Sequence, residues 1–157
     1  MSINPHVVSA TKEHCELLAP RLRVIDKQEI FYAGGLRPKQ ALEYSLENSL
    51  DAITVKYEGS DIPILMAGIS NNLGLMDDRK NIWLLASDEI NNISFKFLKQ
   101  CNNYMLLLAK GNKVCNHVME GNNITLKWLK WLGFTIYEPK PFGLYDKRFH
   151  YIEKDLR

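Results

Sequence analysis

Cysteine is scarce in this chain, and long apolar runs are absent. Cys15, Cys101 and Cys115 are the only three cysteines among 157 residues. An odd number at wide spacing makes neither a disulfide framework nor a metal knuckle, so they read as small apolar core residues. His6, His14, His117 and His150 show no metal-ligand spacing with them, and no metal is expected. No stretch approaches the roughly 20 apolar residues that cross a bilayer. Met1-Ser2-Ile3-Asn4-Pro5 lacks the basic start and apolar core of a signal peptide. No membrane span is expected, and a cytoplasm is the expected location. There is no GxxxxGK[ST] phosphate loop, no GxGxxG dinucleotide fingerprint, and no spacing that supports a Ser-His-Asp or Cys-His constellation.

What remains is the pattern of a single globular domain. The length suits one core that needs no covalent staple, and a composition 46% hydrophobic and 24% charged is globular. Net charge is +2 but unevenly spread. Residues 1–78 carry 7 Lys/Arg against 11 Asp/Glu, and residues 79–157 carry 13 against 7. A basic second half suits a phosphate-bearing ligand or a nucleic-acid backbone. A solvated surface explains it too, and nucleic acid is not the expected partner.

Hydrophobic spacing orders the elements. Val7-Val8 begins a strand. Thr11 is an N-cap for a stripe at Leu17, Leu18, Leu22 and Ile25, with a kink or break near Ala19 because Pro20 lies inside it. Ile30-Phe31-Tyr32 continues until Gly34-Gly35. Pro38 restarts a helix whose buried face is Ala41, Leu42, Ser45, Leu46 and Ser49. Strands follow at 52–57 and 62–69, then a polar loop at 71–81 with Gly74, Asp77 and Asp78. Ile82-Trp83-Leu84-Leu85-Ala86 has no polar face and should be central. Asn91 or Asn92 caps a helix to about Ala109, with Phe95, Leu98, Tyr104, Met105 and Leu108 facing inward. Val114 to Met119 is a strand. Ile124 to Leu132 is a helix with Ile124, Trp128, Leu129, Trp131 and Leu132 on one side. Lys127 and Lys130 beside Trp128 and Trp131 suggest a nucleic-acid or membrane surface; core packing of the tryptophans fits the helical spacing better. Strands at 134–137 and 148–152 close the chain. The order β-α-α-β-β-β-α-β-α-β-β argues for one α/β domain over residues 1–157, a mixed sheet flanked by helices.

This order, with Asn122 eleven residues before Gly133-Phe134, resembles the GNAT acyltransferases, which move an acyl group from acyl-CoA to an amine. The resemblance implies acetyl-CoA or another acyl-CoA as ligand. It implies a glycine-rich turn that cradles the pyrophosphate at the start of the long central helix. Here that stretch is Asp88-Glu89-Ile90-Asn91-Asn92-Ile93-Ser94, with two acids, no glycine and no cation. Asn92 and Ser94 remain as hydrogen-bonding groups there; an ordinary capped helix explains them as well. A splayed parallel strand pair would hold the pantetheine arm, with Leu84, Leu85, Ala86 and Ser87 on one strand and Asn116-His117-Val118 on the other. The family's general acid, seven residues after the Asn, falls on Leu129, which has no proton to give. Tyr137, Tyr104 and His117 are substitutes, and no catalytic residue is assigned. Asn122 either caps its helix or faces the thioester.

A narrower resemblance is carried by Ile82 to Glu89, Lys127 to Phe134, and Glu138-Pro139-Lys140-Pro141-Phe142-Gly143, with Glu16 to Arg23 and Gly35-Leu36-Arg37-Pro38 at the front. In that order they are similar to a family of small tailed-phage proteins that includes the internal virion protein A of T7-like podophages. It implies a virion morphogenesis or internal virion protein, in the host cytoplasm or the particle, with phage structural proteins as partners. The missing glycine turn and Leu129 imply a GNAT-like fold whose cofactor machinery is lost. The alternative is an active acyl-CoA-dependent N-acyltransferase acting on a host protein or small amine.

Overall fold

A computed structural model describes residues 4–71 and 79–157. Gly74, Asp77 and Asp78 lie outside the described residues. Strand β1 (Pro5–Ser9) is followed by helices α1 (Lys12–Leu18), α2 (Val24–Gly34) and α3 (Pro38–Glu47). Then come β2 (Ser49–Tyr57), β3 (Pro63–Asn71) and β4 (Lys80–Ala86), helix α4 (Phe95–Leu108), β5 (Lys113–Met119) and α5 (Asn123–Trp131). Short strands β6 (Thr135–Ile136) and β7 (Lys140–Phe142) precede the long β8 (Lys147–Asp155).

The strands form one mixed sheet in the order β1-β2-β3-β4-β5-β8-β6, with β7 also on β8. Every pairing is antiparallel except β4 with β5. Alternation splits the apolar side chains between two cores. Leu65, Ala67 and Ile69 of β3 and Ala86 of β4 face α4 and α5, with Met105, Leu129 and Leu132. Met66 and Trp83 face the other way, against Cys15, Leu18 and Leu42 of α1 and α3. β3 is buried on both sides along eight residues, as its unbroken apolar run predicts. One close approach fixes the second core. A Cβ on Gly68 would lie 2.7 Å from Trp83 Nε1 and 2.9 Å from the Asp51 carbonyl. The bare glycine lets the indole lie flat on β3 and donate to Ser49 Oγ at 2.8 Å.

Several boundaries differ from the sequence reading. Pro20 breaks the first helical stripe fully: α1 stops at Leu18, a 3-10 turn covers Ala19–Arg21, and α2 starts anew. Three helices therefore precede β2, where two are expected. Ser49 opens β2 instead of facing inward from α3, and its Oγ donates back to Ser45 O. The long helix does not start at Asn91 or Asn92. Residues Asp88–Asn92 form a 3-10 turn, and Ser94 caps α4 by accepting from the Phe97 N–H at 3.1 Å. Tyr104 and Leu108 are exposed, while Asn102 takes an inward position with Met105. On α5, Leu129 and Leu132 are buried, but Ile124 is 84% and Trp131 57% exposed. β7 was not expected, because Pro141 reads against a strand; it survives as a three-residue edge segment.

Candidate functional site

The one parallel pair is where the sheet opens. β4 and β5 pair only at Lys80↔Val114 and Asn81↔Cys115. One residue further on, Asn116 stands in for the missing ladder. Its Nδ2 donates to the Ile82 carbonyl at 2.6 Å, and its Oδ1 accepts from the His117 N–H at 2.7 Å. Beyond this amide bridge the strands part.

Helix α2 lies across the open end and holds each strand by one carboxylate. Asp26 Oδ2 accepts from the Ala86 N–H of β4 at 3.0 Å. Glu29 Oε1 accepts from the Met119 N–H of β5 at 3.1 Å and from Asn122 Nδ2 at 2.8 Å. Asp26 is 2% exposed and is gripped by Arg23 through Nε at 2.9 Å and a second nitrogen at 3.0 Å. Burial lifts the Asp26 carboxyl above its usual range, against the pull of Arg23. Burial likewise raises Glu29 to about 6, opposed by its bonds from Asn122 and Met119.

Between these ties lies a cleft of about 250 Å³. Arg23 at the N-cap of α2 and Asp26 and Glu29 within it line one side, Phe95, Asn102 and Met105 of α4 and Trp128 and Leu129 of α5 the other, with Leu84 and His117 at the parted strands. Two of its polar atoms lack partners among the described residues: Asn102 Nδ2 and Trp128 Nε1, both sealed from solvent. A buried N–H left unpaired costs about 1–3 kcal/mol. Main chain contributes as well. The Ser87 N–H points to β3, bonding Ile64 O at 2.8 Å, while that of Ala86 points the other way to Asp26. Alternation therefore directs the Leu84 N–H and C=O into the gap.

The residues expected to bind a cofactor are thus dispersed. Leu84 and Asn122 line the cleft. Leu85 packs in the opposite core with Trp83. Ala86 has its N–H on Asp26 and its carbonyl on the Arg23 N–H at 2.9 Å. Ser87 commits both its N–H and its Oγ to Ile64 O. Asn92 is exposed in the 3-10 turn, where Asn91 is the cleft residue, and Ser94 is spent on its cap. Asn122 sits at the N-cap position of α5 without a side-chain capping bond. A buried carboxylate attracts its amide more strongly than a neutral N–H does. Of the substitute acids, only His117 reaches the cleft. It stacks on Phe142 with centroids 3.8 Å apart, and burial lowers its pKa, helped by Arg79. Tyr104 is exposed and donates to Asp51 Oδ2 at 2.9 Å; Tyr137 lies on the surface beside Tyr151. Sequence reasoning missed Asp26 and Glu29. The available signal was two acids on the face of α2 that includes Ile30.

The chain superposes on solved acetyltransferases over nearly its whole length. An N-acetyltransferase from Staphylococcus aureus Mu50 matches with a TM-score of 0.71 at 14% identity, covering 98% of this chain and 99% of that one. The yncA protein of Salmonella typhimurium, solved with its cofactor acetyl-CoA, matches at 0.68 and 13%, covering 98% and 94%. A ribosomal-protein-alanine N-acetyltransferase from Brucella melitensis matches at 0.67 and 12%, covering 96% and 99%. The fold is the GNAT fold. No protein-family model matches the chain, and no curated protein sequence matches it. The GNAT likeness at these identities is one of architecture. None of these three structures bears on the phage resemblance. Among the described residues, no group of three His, Cys, Asp or Glu is arranged to hold a metal, and no helix is long and apolar enough to cross a membrane.

Proposed function

We propose that this protein is an N-acyltransferase that transfers an acyl group from a pantetheine thioester, the class to which acetyl-CoA belongs, to an amine. One observation carries the reading: a cleft at the parted strands of a GNAT fold holds a carboxylate raised to about 6, so that it is a working base at neutral pH. Glu29 takes the proton from the attacking amine. The Leu84 N–H faces the thioester oxygen as negative charge develops on it. The amine nitrogen forms its bond to the acyl carbon, and the carbon–sulfur bond breaks. The sulfur leaves as thiolate and takes its proton from water. Leu129 supplies no acid, and none is required, because a thiol with a pKa of about 8.5 is a fair leaving group near neutrality.

The acceptor is a host protein or a small amine, as the sequence resemblance implies. Fluorometric detection of free thiol, with S-acetyl pantetheine as donor and a panel of amines and peptide N-termini as acceptors, tests the reading. Amine-dependent release that Glu29→Gln suppresses supports it; no release above the no-protein control rejects it. The virion morphogenesis role rests on the phage resemblance alone, and the structural matches favour the acyltransferase reading.

A further inference from the structure

The cleft fits one part of an acyl-CoA and not the other. Between the parted strands the Leu84 N–H and C=O are directed into the gap, and an arm with amide groups pairs with them. Asn102 lies seven residues along α4 from Phe95 at the mouth, about 10 Å at the helical rise. That depth suits an extended arm.

The mouth is different. The turn into α4 carries Asp88 and Glu89, and Glu89 is paired with Arg21. Three of its amides are already used: the Ile90 N–H on Ser87 O, the Ile93 N–H on Ile90 O, and the Phe97 N–H on Ser94 Oγ. A turn with two acids and no glycine is a poor seat for a nucleotide diphosphate.

Around the mouth lies a surface of another kind. Phe95, Ile124 and Trp131 are 43%, 84% and 57% exposed. Phe95 meets Trp131 edge-on with centroids 4.4 Å apart, and Lys99 Nζ stands 4.9 Å over the Trp131 ring. Lys96, Lys99, Lys127 and Lys130 are exposed around this apolar centre, and none makes an ion pair among the described residues. An aromatic centre with a cationic rim is the composition of a protein-docking patch.

We infer that the acyl donor is delivered by an acidic carrier protein bearing a phosphopantetheine arm, which docks on the Phe95–Ile124–Trp131 patch and its four lysines while the arm enters the cleft. This rests on the acyltransferase reading for its chemistry. The carrier's acids meet the lysines, and the arm's amides meet the Leu84 main chain. No nucleotide has to lie beside Asp88 and Glu89.

The test compares three acetyl donors with one amine acceptor: acetylated bacterial acyl carrier protein, acetyl-CoA and S-acetyl pantetheine. Carrier-bound acetyl should give a kcat/KM at least tenfold above acetyl-CoA. The variant Lys96→Glu/Lys99→Glu/Lys127→Glu should lose at least tenfold with the carrier donor and nothing with S-acetyl pantetheine. Acetyl-CoA equal to or better than the carrier donor overturns the inference, as does a charge-reversal loss that is the same for all three donors. If no donor transfers, the acyltransferase reading has failed on its own. Docking is then judged by Trp131 fluorescence on titration with holo carrier protein. Saturable quenching lost in the triple variant sustains the surface; no quenching ends it.

Discussion

Glu29 and Asn122 meet across 93 residues of chain, Asn122 Nδ2 donating to Glu29 Oε1 at 2.8 Å. The bond joins α2, a helix of the front half, to the last residue of the strand-to-helix turn behind β5. With the Met119 N–H on the same oxygen, it keeps a largely desolvated carboxylate in place while leaving its pKa near 6. The proposed chemistry depends on that balance between burial, which raises the pKa, and two donors, which restrain it.

Glu29→Gln should keep the fold, since an amide oxygen accepts the same two bonds. It should lower amine-dependent thiol release by about 10²–10⁴-fold, the range for a positioned general base. Steady-state rates together with far-ultraviolet circular dichroism check this. A folded variant with unaltered rates would remove Glu29 from the chemistry.

The same carboxyl has a signature in stability that is independent of any substrate. Its folded pKa lies above its unfolded one, so the folded state holds the proton more tightly. The Glu29 contribution to stability is fully present below pH 4.5 and is lost as pH rises through about 6. The span of 4.5 to about 6 corresponds to roughly 2 kcal/mol. Urea denaturation of wild type and Glu29→Gln between pH 4 and 7.5 should show the wild type falling relative to the variant across that window. Parallel curves would mean that Glu29 is solvated.

Asn116→Leu should destabilise the splay. Two main-chain groups, the Ile82 carbonyl and the His117 N–H, would lose their partner. The expected cost is about 1–3 kcal/mol. Hydrogen exchange should locate it at His117, whose amide should exchange faster in the variant than in wild type; unchanged protection there would show that the bridge is dispensable.

Gly68→Ala tests the opposite core. The added methyl would meet the Trp83 ring at 2.7–2.8 Å and the Asp51 carbonyl at 2.9 Å. Overpacking of this kind costs about 1–3 kcal/mol. Trp83 fluorescence should shift as the indole gives way, and a denaturation midpoint equal to wild type would contradict the packing described.

Much of the architecture was legible because periodicity is a local property. The unbroken apolar run of β3 and the Gly35 stop both report burial or backbone shape at their own positions. Boundaries set by competition were harder to read. Asn91, Asn92 and Ser94 are each competent N-caps, and only the 3-10 turn at Asp88–Asn92 leaves the cap to Ser94. Trp131 and Ile124 satisfy an inward helical stripe, yet α5 turns its Leu129 and Leu132 to the sheet and leaves them outside. The site was the least legible part. Asp26 and Glu29 act on Ala86, Met119 and Asn122, tens of residues away, and no spacing rule links such groups. The cofactor turn is the reverse case: its absence shows directly in Asp88 and Glu89.

The most direct test of the account is the pH dependence of thiol release from S-acetyl pantetheine to an aromatic amine, whose own titration lies well below the range of interest. The account predicts release that rises through about pH 6 to a plateau, set by the Glu29 carboxyl, and that is lost in Glu29→Gln. A pH-independent rate, or one shared equally by Glu29→Gln and wild type, would contradict it.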